Sequence, residues 1–225
     1  MDWWGTWHGP VAPGEYLLAR EGTMMKRGLR YDFSLLALLL IPVGVSVNVV
    51  GYQLSSILKF PIFIDQIGTL FVSMLGGPWV GLVTGLMGNV INGMLNPVAF
   101  PYALVAMTTG FVAGLLSRWR WYTNIVGAVA ACFVISIAAA VVKAPVTMAV
   151  FGGVTGAGSD LLTAALLVTG TSLIKSVFST SIFTAVASTA IDVSVSWVIL
   201  RKLPDRFLIK FNYGSPYVRK VAAAS

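Results

Sequence analysis

The sequence predicts an all-α integral membrane protein, a bundle of about six transmembrane helices with both termini in the cytoplasm. Of its 225 residues, 57% are hydrophobic and only 10% are charged, and the mean hydropathy is +0.85. A soluble domain carries roughly 25% charged residues, which solvate its surface. Because this chain cannot cover itself with polar groups, we expect its outer surface to face lipid, as a multi-pass protein of the cell membrane.

Six apolar runs separated by turn residues supply the predicted helices. They cover about residues 33–58, 65–75, 78–94, 102–117, 125–151 and 171–200. The second run barely crosses a bilayer, so it must lie where the protein is thin or be continued by neighbouring backbone. Residues 152–170 are expected to form a Gly/Thr-rich loop whose short apolar middle is partly helical.

Basic residues cluster on one side of this six-span arrangement. They lie at the N-terminal flank, in the turn at 118–120 and after residue 200. The positive-inside rule makes that side cytoplasmic, and such clusters suit lipid headgroups better than nucleic acid. We therefore divide the chain into an N-terminal tail (1–25), a six-helix membrane domain (26–204) and a basic cytoplasmic tail (205–225). The N-terminal tail is either an extension or an interfacial flap anchored by its tryptophans.

Small residues recur at every fourth position of the third run, and the spacing is repeated on the fourth. Such stripes allow two helices to approach closely, so we interpret them as helix packing. Asn89 and Asn92 follow on the third run. An asparagine is costly in lipid, so we expect both side chains to face the interior and to bond backbone or a ligand. The glycines of the two stripes are Gly77, Gly81, Gly85, Gly110 and Gly114.

Four charged side chains fall in the outer half of the predicted bundle: Asp65, Lys143, Asp160 and Lys175. Each costs several kcal/mol there unless it is paired or solvated. Lys143 either snorkels or pairs with one of the two aspartates; alternatively, the four residues and the two asparagines form the polar wall of an outward-open pocket. Asp192 lies in the inner half of the last run, where we expect it to pair with a cytoplasmic arginine or to contact a partner.

Residue patterns for catalysis are missing. The one histidine, His8, lies in the N-terminal tail, and the one cysteine, Cys132, lies in an apolar run. Serine–histidine hydrolysis and a histidine or thiolate metal site are therefore excluded within one chain. The glycine-rich residues 152–158 lack the Gly-Lys-Ser/Thr that a phosphate loop requires. We expect no enzyme activity, no cofactor and no resident metal.

Residues 65–96 resemble the substrate-binding S components of energy-coupling factor (ECF) vitamin transporters. The resemblance lies in Asp65-Gln66-Ile67-Gly68-Thr69, in Gly76-Gly77-Pro78-Trp79-Val80-Gly81 and in Gly85 with Gly88-Asn89. The segment from Ile191-Asp192 to Leu203-Pro204 resembles the close of the sixth helix in this family. The likeness covers most of residues 33–204.

This resemblance implies a carrier that holds a small nutrient at its outer side and works with a transmembrane coupling subunit and two ATPase subunits. The family's coupling motif is a pair of alanines four residues apart on the first helix. Here Ala37 is followed at that spacing by Ile41, so only half of the motif is present. The nutrient is expected to be vitamin-like or nucleobase-like, with stacking surfaces among Tyr52, Phe63, Trp79, Tyr102 and Phe151. A ligand-binding sensor module and a solitary ion-coupled permease are the alternatives.

Overall fold

A computed structural model describes residues 32–59 and 62–218, and every regular element within these ranges is a helix. The predicted N-terminal tail lies outside the described residues. The α-helices of the described part are α1 (Leu35–Ile57), α2 (Ile67–Gly76), α3 (Pro78–Leu95), α4 (Ala103–Arg118), α5 (Ile125–Phe151), α6 (Ser159–Val168), α7 (Leu173–Lys202) and α8 (Asp205–Leu208). Short 3-10 turns lie at Pro97–Ala99, Trp121–Thr123 and Ser215–Tyr217.

Three of these helices are long and apolar enough to cross a membrane. They are α1 with 23 residues, α5 with 27 and α7 with 30. Only about a third of the most apolar window of each is buried inside the protein, so these helices present much of their apolar surface outward. A lipid environment is the one in which such surface is stable. The chain is thus an all-helical membrane protein in its described part.

Helix α2 is short, since it ends at Gly76 before the Gly77-Pro78 break, and it lies in the middle of the bundle. It packs against α1, α3, α4 and α7, and nearly all of its residues are buried, including Leu70 and Leu75 at 0% exposure. Ten residues rise only about 15 Å, half of the hydrocarbon thickness. Residues 62–66, which directly precede α2, are non-helical.

Helices α3 and α4 pack through their glycines. A Cβ on Gly81 would lie 2.6 Å from the Gly110 carbonyl oxygen, and one on Gly85 would lie 2.4 Å from that of Ala106. A Cβ on Gly114 would meet Pro78 at 2.3 Å, so the backbones touch along the whole interface. The remaining residue of the predicted stripes, Gly77, has φ +90° and ends α2 directly before Pro78 begins α3.

Ala37 of α1 also serves packing. Its side chain is 1% exposed and faces the position where α2 ends, at Gly76. Ile41, four residues later, is buried as well. Other residues of the same chain cover both side chains, and a role of Ala37 in coupling stays a prediction.

A polar network closes the end of the bundle that carries the basic residues. The Tyr213 hydroxyl donates to Asp32 Oδ1 at 2.7 Å and accepts from Arg118 Nη2 at 2.9 Å, while Arg118 also pairs with Asp32 Oδ2 at 3.4 Å. Ser117 donates to the carbonyl of α2 at Met74 (2.7 Å) and bonds Tyr217 at 2.9 Å. Residues 205–218 therefore fold back against the helices, although the sequence analysis assigned them to a separate tail.

The same network perturbs two ionisation equilibria. Burial, and then the hydrogen bond to Asp32, raise the pKa of Tyr213 to about 12. Burial also raises the pKa of Asp32, against the opposing effects of Tyr213 and Arg118. Both groups therefore hold their protons more tightly in the folded protein than in an unfolded chain.

Candidate functional site

A cavity of about 200 Å³ lies at the opposite end of the bundle. It forms where α1, α3 and α5 end and where α4 and α7 begin. Two connecting segments complete its wall: residues 63–66 before α2 and residues 155–160 between α5 and α6. Pockets for drug-sized ligands measure roughly 300–1,000 Å³, so this cavity suits a small guest.

The segment before α2 is held in place by serine hydroxyls from two long helices. The Phe63 N–H donates to Ser188 Oγ of α7 at 2.9 Å, and the Ile64 N–H donates to Ser55 Oγ of α1 at 3.2 Å. Non-helical backbone at membrane depth needs such partners, because lipid offers none. These bonds fix residues 63–66 as the side of the cavity nearest to α2.

Lys143 of α5 reaches into the cavity. Its Nζ donates to the Thr184 hydroxyl of α7 at 2.9 Å and lies 4.8 Å from the centre of the Phe63 ring. The structure forms no ion pair within 4.0 Å between this ammonium and any described carboxylate. The charge is held by a hydroxyl and a ring face, and its remaining N–H bonds are free for a guest.

Asp160 organises the loop at the mouth of the cavity. Its carboxylate accepts hydrogen bonds from the backbone N–H groups of Thr155 (2.7 Å) and Gly156 (2.6 Å), and from the Thr155 hydroxyl (3.0 Å). It lies in the first turn of α6, a position that favours negative charge. Helix α6 occupies the apolar middle of the segment predicted as a loop. Asp160 is satisfied by this loop and shapes the wall.

Aromatic rings line one side. Tyr102 of α4 bonds the Thr147 hydroxyl at 2.8 Å, and its ring stacks on Phe151 with centroids 5.7 Å apart. Tyr52 and Phe63 also line the cavity. The other two aromatic residues named as stacking surfaces do not line the cavity: Phe151 packs behind Tyr102, and Trp79 packs on Phe111.

The remaining predicted site residues divide between the cavity and elsewhere. Asp65 and Asn89 line it; Asn89 is 6% exposed and bonds the Gly85 carbonyl at 3.4 Å. Asn92 is 1% exposed but does not line the cavity. Lys175 lies on the exposed first turn of α7, away from the cavity. We therefore leave Asn92 and Lys175 out of the candidate site.

Asp192 is the residue that the sequence analysis placed elsewhere. It lines the cavity, its side chain is buried at 2% exposure, and its Oδ1 atom has no hydrogen-bond partner. Asp192 forms no ion pair with any arginine among residues 32–59 and 62–218, so the expected pairing is not seen there. Gln66 Oε1 and Thr180 Oγ1 also line the cavity without a partner. Buried polar atoms normally have partners, so these three atoms are candidates for binding a guest; Asn92 Oδ1 also has no partner but lies outside the cavity lining.

Comparison of the chain with protein-family models, with curated proteins and with solved structures found no match. The chemical character of the site is therefore given by its own lining. Among the described residues no group of three or more histidine, cysteine, aspartate or glutamate side chains could hold a metal ion. The lining offers two lysines, three aspartates, several hydroxyls and aromatic faces.

Proposed function

We propose that the protein is a membrane-embedded binding protein that captures a small nutrient from outside the cell, as the S component of an ECF-type importer does. The observation that carries the proposal is the cavity itself. At one end of an apolar helical bundle, it combines Lys143, which points into the cavity, with Asp192, whose Oδ1 atom has no hydrogen-bond partner. Unpaired polar groups are expensive at membrane depth and are kept where they bind something.

The orientation follows from charge. The cavity lies at the end opposite to Arg118, Arg120 and the basic residues after α7. By the positive-inside rule the basic end faces the cytoplasm, so the cavity opens outward. Six membrane-crossing segments, α1 to α5 and α7, with both termini inside, are consistent with this arrangement. In this reading α2 crosses together with the non-helical residues before it.

A coupling subunit would have to bind this protein without the alanine pair found in ECF S components, since Ile41 replaces the second alanine and Ala37 is buried. The outward face of α1 is the available apolar surface on that helix. It carries Leu35, Leu39, Val43 and Val50, which are between 54% and 75% exposed. We propose that partner binding, to a transmembrane subunit with two ATPases, uses an exposed apolar face of this kind.

Two measurements test the proposal. The full-length protein, purified in mild detergent, should retain a small molecule that mass spectrometry detects and that the Lys143→Ala variant loses. Affinity purification from membranes should also recover ATPase subunits. A protein with no retained molecule and no ATPase partner would contradict the proposal.

A solitary ion-coupled permease is the second candidate, and it is favoured by one observation. Asp65, Lys143 and Asp192 bring three ionisable groups to one cavity, as proton- or ion-coupled carriers require. Uptake into vesicles without ATPases, abolished when the ion gradient is dissipated, would favour this candidate.

A ligand-binding sensor module is the third candidate. It would bind the same ligand and show no uptake, and affinity purification would recover a signalling partner instead of ATPases.

A further inference from the structure

The end of the cavity nearest to α2 carries two carboxylates and a glutamine amide. Ser188, Asp192 and Ser196 lie four residues apart and therefore share one face of α7. Ser188 Oγ accepts from the Phe63 N–H at 2.9 Å, and Ser196 Oγ donates to the Ile67 carbonyl at 2.9 Å. These two bonds bracket the segment 63–67, so Asp192 faces its middle, where Asp65 and Gln66 lie.

The three side chains of this acceptor cluster, Asp65, Gln66 and Asp192, all line the cavity. Asp192 is buried, with only 2% of its surface exposed, and neither its Oδ1 atom nor Gln66 Oε1 has a hydrogen-bond partner. An ionised carboxylate can only accept, whereas the glutamine amide can present either end. Two carboxylates facing one another also repel, so the empty cluster is missing donors and positive charge.

Lys143 interacts electrostatically with Asp65 and Asp160, and it supplies no positive charge to Asp192. Its Nζ is bonded to Thr184, eight residues before Asp192 on α7. Eight residues rise about 12 Å along a helix, too far for an ion pair with Asp192. The next lysine of the lining, Lys59, lies beyond the end of α1, on the exposed rim. Asp160 is satisfied by its own loop and Asp65 interacts with Lys143, so Asp192 is the carboxylate of the cavity that lacks a positive charge nearby.

We infer that the guest of this cavity is a small organic cation whose N–H groups bind Asp192, Asp65 and Gln66. An amidinium, a protonated amine or a protonated amino-substituted heterocycle has this chemistry. Such a group brings two or more donors to the unpartnered Asp192 Oδ1 and Gln66 Oε1, and a positive charge to Asp192. Its apolar ring would lie among Tyr52, Phe63 and Tyr102, which also line the cavity. This inference rests on the proposed binding function and adds the class of ligand.

Three probes of nearly equal shape test the sign of the charge. Benzamidine is cationic, benzamide is neutral and benzoate is anionic. Each has nine non-hydrogen atoms and is small enough for a cavity of about 200 Å³. Binding to the full-length protein in nanodiscs is measured by titration calorimetry. We expect benzamidine to bind about tenfold or more tightly than benzamide or benzoate, because charge-assisted hydrogen bonds are roughly twice as strong as neutral ones.

Matched variants assign the preference to the cluster. Asp192→Asn keeps the shape of the side chain and removes its charge, so it should lower benzamidine affinity about tenfold and leave benzoate binding no weaker. Asp65→Asn is the second variant, in case the first does not fold. Lys202→Gln, an exposed change at the far end of α7, is the control and should bind all three probes as the wild type does.

The outcomes separate this inference from the proposed function. Benzoate binding most tightly, or benzamidine binding equally to wild type and to Asp192→Asn, would overturn the cationic ligand. So would Na⁺ alone occupying the cluster and displacing benzamidine at millimolar concentration. A retained natural ligand that is anionic would overturn it too, while leaving nutrient capture intact. If no probe binds and nothing is retained, both proposals fail.

Discussion

Tyr213 couples the stability of the basic end to pH. Burial, and then its hydrogen bond to Asp32, raise its pKa from 10.0 to about 12. The folded protein therefore holds the phenolic proton more tightly than the unfolded chain does. This stabilises the fold below about pH 10, and the stabilisation is lost as the pH rises towards 12. Two pKa units correspond to about 2.7 kcal/mol, of which about 1.4 kcal/mol is lost by about pH 11.

The Tyr213→Phe variant isolates this contribution, since it keeps the ring and removes the proton. Unfolding free energies of both proteins in the same detergent would be compared at about pH 9 and about pH 11. The wild type should lose about 1.4 kcal/mol more than the variant over that interval. At neutral pH the variant should be less stable by about 1–3 kcal/mol, because Asp32 and Arg118 lose a buried partner. Parallel pH curves for the two proteins would refute the reasoning.

Other substitutions test the cavity and the helix packing. Lys143→Ala and Asn89→Ala should each reduce retention of the bound ligand about tenfold or more while the protein still inserts; normal retention by mass spectrometry in both would mean that the pocket is placed wrongly. Gly81→Ala should lower stability by about 1–3 kcal/mol, since its Cβ would lie 2.6 Å from a backbone oxygen of α4. The matched control Gly88→Ala, whose nearest neighbour is a side-chain nitrogen at 3.2 Å, should shift the melting temperature less. Asn48→Ala breaks two buried hydrogen bonds to α2, at 2.6 and 3.2 Å, and should cost about 2 kcal/mol in thermal unfolding.

Helix positions could be predicted from the sequence because apolar runs and breakers are local signals. The break at Gly77-Pro78 separates α2 from α3, and α5 covers residues 125–151 as expected. Helix α6 was placed in a loop with a short helical middle, because its ten residues are flanked on both sides by glycine and threonine. The glycine spacing likewise anticipated a close interface, but which helix would be met depends on tertiary packing.

The candidate site could be predicted only in part, because its residues come from segments far apart in the chain. Lys143 and Asp65 stood out as charges in apolar surroundings. Asp192 also stood out as a charge in an apolar run, but its position near the basic end suggested an arginine as its partner and not the cavity. Its direction depends on the Ser188 and Ser196 bonds to residues 63 and 67, which no sequence spacing reveals. Lys175 carried the same charge signal, yet its helix turns it outward.

The central position of α2 has a mechanical consequence. Below the cavity, Leu70, Met74 and Leu116 fill the bundle with essentially no exposed surface, and the Tyr213 network seals the end. Within the described residues, a solute in the cavity therefore meets a closed inner end. Onward delivery would require the packed half to open or the whole bundle to reorient.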